Sequence, residues 1–221
     1  PANDCLYTIP VMMIKYLPTR DGINLDPSIM GYTGPLDNLN NRLMGDAIRT
    51  KFILEEGSRF HGYRDAEAKP SIGYRVVASL TIYEDTPPGF PTEKPDVWFT
   101  DYNLILNRIG ARHYVEDLGV KEFWLWTAPH GYITGTESNM SSPLTGDVSN
   151  SYRINDDMPI YDRTYTLYDY NITRTHNEDA HDHGHQLEAL LAYANVRQDG
   201  NSYLFWKQFV GRDDVFNFIT G

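Results

Sequence analysis

Thr8-Ile-Pro-Val-Met-Met-Ile-Lys-Tyr16 is almost continuously apolar, which predicts a strand buried on both faces. Pro18-Thr-Arg-Asp-Gly22 ends it as a turn. The period then changes. Leu36, Leu39, Leu43, Ala47, Ile48, Phe52 and Leu54 recur at helical spacing between Gly34-Pro35 and Gly57, and predict a long helix. Tyr74-Arg-Val-Val-Ala-Ser-Leu-Thr-Ile-Tyr83 predicts a second strand, and Pro87-Pro-Gly-Phe-Pro91 a rigid loop after it. Asp101 is placed to cap a helix that carries Leu104, Ile105, Ile109, Tyr114 and Val115 and ends near Gly119. Val120-Lys-Glu-Phe-Trp-Leu-Trp126 predicts a third strand and Arg163-Thr-Tyr-Thr-Leu-Tyr-Asp-Tyr170 a fourth. Leu187, Leu190, Leu191 and Ala194 then predict another helix, stopped by Asp199-Gly200. Phe205-Trp-Lys-Gln-Phe209 fits a last helical turn.

Strands that alternate with helices predict an α/β fold: one layered domain over residues 1–221, with a mostly parallel sheet flanked by helices. No internal repeat or linker divides it. Residues 127–162 carry few periodic signals and form the longest irregular connection. Connections of that length inside compact domains are often functional.

The last predicted helix opens on Thr175-His-Asn-Glu-Asp-Ala-His-Asp-His-Gly-His-Gln-Leu-Glu188. Four of the seven histidines lie here, interleaved with carboxylates. Imidazole and carboxylate are the side chains that bind divalent metals and move protons near neutral pH. Thr175 and Glu178 fit a capping box. On a regular helix His181, His185 and Glu188 share one stripe and are candidate ligands for a divalent transition metal, zinc or similar. His176 and His183 fall on the other, inward side. His183 replaces one of the ligands if Gly184 distorts the turn. Three readings stay open: a solvated helix start whose acids suit the dipole, a metal site, and a metal-free site with His183 or His185 as acid or base. The zincin motif His-Glu-x-x-His is absent.

A second constellation lies on the long connection, in Thr127-Ala-Pro-His-Gly131 and Glu137-Ser-Asn-Met-Ser-Ser-Pro-Leu-Thr-Gly-Asp147. Ligands of open α/β sheets bind beyond the carboxyl ends of strands. If the third and fourth strands are parallel neighbours, Glu137 and Asn139 can face His183 or His185. Glu137 is then the partner carboxylate and Asn139 positions or stabilises substrate. His130, Ser141 and Asp147 are candidate substrate-binding residues on the same connection. A structural loop capped by its own hydroxyls and amides is the competing reading. Glu55, Glu56, Arg59, His61 and Arg64 form a third polar cluster, which reads as a solvated helix end with ion pairs. The nucleophile elbow, the phosphate loop and the dinucleotide fingerprint are missing.

Charge narrows the partners. The formal net charge is −11 with no basic run, which disfavours nucleic acid. No apolar run approaches the ~20 residues of a membrane span. Cys5 is the only cysteine, so no intrachain disulfide can form. The chain begins Pro1-Ala-Asn-Asp-Cys5 without an initiator methionine; a removed signal peptide explains that, as does a cut of another origin. Few lysines beside abundant Tyr, Asn, Thr and Gly lean toward secretion. Sixteen tyrosines and four tryptophans suit sugar recognition as well as ordinary cores.

The runs Glu137–Asp147, Pro159-Ile-Tyr-Asp-Arg-Thr-Tyr165 and His183-Gly-His-Gln-Leu-Glu188 resemble those of an uncharacterised group of secreted bacterial proteins, over about Val11 to Gly211. The resemblance implies a secreted bacterial protein and assigns no residue a role. The expected function is a secreted hydrolase or related enzyme acting on an extracellular polymer, above all a polysaccharide, or on a small sugar ligand. The alternative is a non-catalytic sugar-binding or surface-assembly module whose tyrosines form an exposed platform.

Overall fold

The computed structural model describes residues 4–30, 34–59, 65, 67–128, 133–149 and 158–199. In chain order the elements are β1 (Tyr7–Tyr16), α1 (Pro27–Met30), α2 (Leu36–Gly57), β2 (Ile72–Ile82), β3 (Pro88–Pro91), β4 (Trp98–Thr100), α3 (Tyr102–Arg108), α4 (Ala111–Glu116), β5 (Glu122–Thr127), β6 (Ile133–Thr134), β7 (Ser138–Ser141), β8 (Val148–Ser149), β9 (Tyr165–Asn171) and α5 (His176–Asp199). Phe205–Phe209, His61 and Arg64 lie outside the described residues.

The main sheet has the order β2-β1-β5-β9-β7-β8. Its first four strands are parallel. β7 runs antiparallel to β9 and to β8, so the sheet is mixed at that edge. A small second sheet, β3-β4-β6, accompanies it. The expected α/β class with a mostly parallel, helix-flanked sheet therefore describes the centre, and the long connection contributes the antiparallel edge.

Side chains of the central strands alternate between two cores, as the period-two geometry of a strand requires. Val11, Met13, Trp124, Trp126, Tyr168 and Tyr170 pack with Leu36, Leu39, Leu43 and Ala47 of α2. Met12, Ile14, Phe123, Leu125, Tyr165 and Leu167 pack on the other face with Tyr102, Ile105 and Leu106 of α3 and with Ala111 and Val115 of α4. Both faces of β1 and β5 are buried, which is why these strands read as unbroken apolar runs. Burying a side chain of this size contributes roughly 1.5–3 kcal/mol.

Two predicted elements differ in detail. The single helix expected from Asp101 to Gly119 is two helices. Asp101 caps the first, accepting from the Leu104 N–H at 2.8 Å. Gly110 adopts φ 68°, a left-handed conformation that stops one helix and starts the next. Pro88–Pro91, expected as a loop, is a short edge strand, a position where proline's missing N–H does no harm.

Candidate functional site

β5 and β9 are parallel neighbours, in register from Glu122–Thr166 to Thr127–Asn171. Their carboxyl ends, residues 134–137 and the first turns of α5 enclose a cavity of about 220 Å³. Thr127, Thr134, Gly135, Thr136, Glu137, Asp169, Asn171, Arg174, Glu178 and Asp182 line it. The position agrees with the rule that α/β ligands sit beyond strand carboxyl ends. Arg42 of α2 fixes the segment that leads into α5: Nη1 donates to the Arg174 carbonyl at 3.0 Å and Nη2 to the Ile172 carbonyl.

The inward face of α5 is polar. Asp179, Asp182, His183 and Gln186 are the buried residues of its first half, at helical spacing. Leu187, expected on the apolar side, is 56 % exposed, and Leu190 and Leu191 are half-buried. Its inward side chains meet polar partners from below: Asp179 meets Thr50, His183 meets Tyr170 Oη and Gln186 meets the Val148 carbonyl. Glu178 pairs with Arg174 at 2.8 Å, and its backbone N–H donates to the Thr175 carbonyl.

His181 and His185 project away from that face, toward Glu137. Their Nε2 atoms are 2.7 Å apart, and His185 Nε2 is 3.9 Å from Glu137 Oε2. Ligand atoms of Glu137, His181 and His185 all lie within 4.8 Å of one another. Two nitrogens each about 2.1 Å from one tetrahedral ion stand about 3.4 Å apart, so the 2.7 Å spacing is that of a hydrogen bond and the rings would part slightly to hold an ion. Glu188 sits behind the cluster. It accepts the Nδ1 proton of His185 at 2.9 Å, which leaves Nε2 as the acceptor nitrogen, facing His181 Nε2. Glu188, expected as a third ligand on the helix stripe, thus contacts the opposite nitrogen of His185 from the one that meets His181.

His183 occupies a different environment. It is buried, stacked on Tyr168 at 3.7 Å and 19°, and edge-on to Tyr74 and Trp124. Its Nε2 shares a 2.7 Å hydrogen bond with Tyr170 Oη. Burial pushes its pKa down to about 3 and keeps the ring neutral. His176 contacts Asp46 of α2 at 3.4 Å. Both rings face the α2 side of the fold, while His181 and His185 reach Glu137.

The long connection divides likewise. Glu137 reaches the histidines. Asn139 is fully buried in β7, opposite Leu167, and neither its Oδ1 nor its Nδ2 has a hydrogen-bond partner. Ser141 is buried and donates to the Pro159 carbonyl at 3.2 Å. Asp147 is half-buried just before β8. His130 lies outside the described residues.

Among the charged residues of the cavity, Asp169, Arg174 and Asp182 are not singled out by sequence, and Glu178 is singled out only as a capping residue. Asp169 accepts from Thr127 Oγ1 and from Tyr102 Oη, each at 2.6 Å. A signal for it existed, since a carboxylate inside the aromatic strand Tyr168-Asp-Tyr170 is seldom buried without a partner. Asp182 is 6 % exposed, and burial followed by repulsion from Glu137, Asp179 and Asp169 raises its pKa to about 9. Asp179, bonded to Thr50 Oγ1 at 3.0 Å, is raised to about 7, again chiefly by burial.

Among the described residues Tyr16, Tyr74, Tyr102, Tyr161, Tyr165, Tyr168 and Tyr170 are buried core, whereas Tyr7, Tyr83, Tyr193 and Trp98 are exposed. No helix among the described residues is long and apolar enough to cross a membrane. Comparison with protein-family models and with curated proteins gives no match, so the reading of the site rests on its geometry.

Proposed function

We propose that the protein is a secreted, metal-dependent hydrolase that acts on an extracellular polysaccharide. The observation that carries this reading is the convergence of His181 Nε2, His185 Nε2 and the Glu137 carboxylate at the rim of a polar cavity. Two imidazoles and one carboxylate form a donor set common to zinc hydrolases, and leave coordination positions open. When bound, a divalent ion supplies Lewis-acid polarisation and lowers the pKa of water.

The chain's own groups have separable tasks. Glu188 holds the Nδ1 proton of His185 and so directs its Nε2 lone pair toward Glu137. Asp169, fixed by Thr127 and Tyr102, presents a rigid acceptor wall to a substrate hydroxyl. Asp182 is the cavity carboxyl with no hydrogen bond to any described residue, and it is available to exchange a proton with a bound substrate. Threonine hydroxyls, an amide and carboxylates around one small cavity suit a hydroxyl-rich ligand. The burial of seven of the described tyrosines favours this reading over an exposed aromatic platform.

Elemental analysis of the untagged protein, purified without chelator, is the test. Near-stoichiometric zinc or a similar metal, lost in His185→Ala together with hydrolysis of a polysaccharide panel, is expected. A protein that takes up no transition metal on dialysis against it sinks the proposal.

A further inference from the structure

Beyond the three side chains proposed to hold an ion, the cavity wall carries Asp169, Glu178 and Asp182, and a single cation, Arg174. Asp182 is more than nine-tenths buried, lines the cavity and makes no hydrogen bond or ion pair with any described residue. A buried carboxyl left without a partner is costly unless something else meets it.

The hydrogen-bond inventory says what that something is. Thr127 Oγ1 already donates to Asp169, and Thr134 Oγ1 to the Gly135 carbonyl at 3.3 Å. Arg174 Nη1 donates to Glu178 at 2.8 Å. Arg174 and the Asn171 amide keep further N–H donors, and against them stand the oxygens of four carboxyls and the hydroxyl lone pairs. Charge points the same way: Glu137, Asp169, Glu178 and Asp182 face one guanidinium, that of Arg174, so carboxyls outnumber cations four to one. A group with several donors, no acceptor and a single positive charge completes the cavity, and a primary ammonium has all three properties. At about 220 Å³ the space is below the roughly 300 Å³ where drug-sized pockets begin, so it takes one residue of a polymer.

We infer that the cavity recognises the ammonium group of an amino sugar, so that the substrate is an amino-bearing polysaccharide. The inference rests on the polysaccharide reading proposed above. Asp182 and Asp169 receive the ammonium protons, Glu178 contributes the outer charge, and an N-acetylated sugar binds more weakly because its amide replaces three charged donors by one neutral N–H and adds an acceptor.

Calorimetric titration of the full chain with glucosamine oligosaccharides and with their N-acetylated counterparts tests this. The amine oligomers are expected to bind about ten-fold more tightly or better, as a charge-assisted contact implies. Asp182→Asn is expected to erase most of that preference and leave the N-acetylated ligand unaffected. Equal affinity for the two oligomers in the unaltered protein overturns the inference without recourse to a variant. Binding of a lysine-containing peptide with no binding of glucosamine oligomers overturns it too, in favour of a protein substrate. The same titration in chelator separates the two proposals. An amine preference in a protein that takes up no metal sinks the metal-dependent reading and keeps this one, and metal uptake without the preference does the reverse.

Discussion

The Asp169 carboxylate lies where a side chain at Gly135 would stand: a Cβ at Gly135 falls 2.6 Å from Asp169 Cγ. Glycine is required here by close approach. Gly135→Ala therefore drives Asp169 away from Thr127 and Tyr102. A loss of about 1–3 kcal/mol is expected, as for overpacked buried sites, read as a lower denaturant midpoint. An unchanged midpoint would mean that the carboxylate has a second resting place.

Glu122 starts β5 with its side chain buried and accepts the Trp124 indole N–H at 2.8 Å. Burial raises its pKa from 4.5 to about 7, and the Trp124 bond opposes this only in part. Because the folded value is the higher one, the folded state keeps a proton that the unfolded state releases. The stabilisation is fully present below about pH 4.5 and is lost as the pH rises through about 7. The slope reaches about 1.4 kcal/mol per pH unit while one proton separates the states. Glu122→Gln keeps the acceptor for Trp124. The stability difference between this variant and the unaltered protein should change between pH 5 and 8, measured by denaturation; a constant difference refutes the assignment.

His183 and His185 should respond in opposite ways. His183→Phe keeps a ring on Tyr168 and removes the partner of Tyr170 Oη. An unsatisfied buried hydroxyl costs about 1–3 kcal/mol, so stability falls while metal uptake persists. His185→Ala should lose metal uptake with little change in the stability of the chelator-treated protein, because its ring is 34 % exposed. Paired melting and metal analyses check both halves. Metal loss in His183→Phe would place that ring in the site after all.

Glu188→Gln tests the orienting carboxylate. The amide weakens the hold on the Nδ1 proton of His185 without touching Glu137 or His181. Loss of such outer partners commonly costs 10–100-fold in metal affinity. Competition with a metal-sensitive dye should show a reduction of that size. Complete loss would mean that Glu188 itself ligates the ion.

The sequence carried the frame well and the site in part. Unbroken apolar runs located β1 and β5, and helical spacing located α2, because those elements answer to core packing. β7 escaped, since Ser138-Asn-Met-Ser141 has no strand-like alternation and is nonetheless wholly buried. Its polar side chains are accommodated by tertiary contacts that periodicity does not encode. Helix geometry put His181 and His185 on one stripe. It could not say that Glu188 would meet Nδ1, because ring orientation is set by neighbours. Asp182 was passed over as one more acid in a histidine-rich run, and its isolation follows from the sheet end beneath it.

Glu137 reaches the histidines from the residue just before a short antiparallel strand, far upstream of α5 in the chain. An ion shared by that strand and the helix would join two distant stretches of backbone, and the unfolded chain would lose entropy on being tied there. A polypeptide with one cysteine has no sulfur pair to make such a tie. Coordination at the rim of the cavity would staple the molecule in the same place where it works.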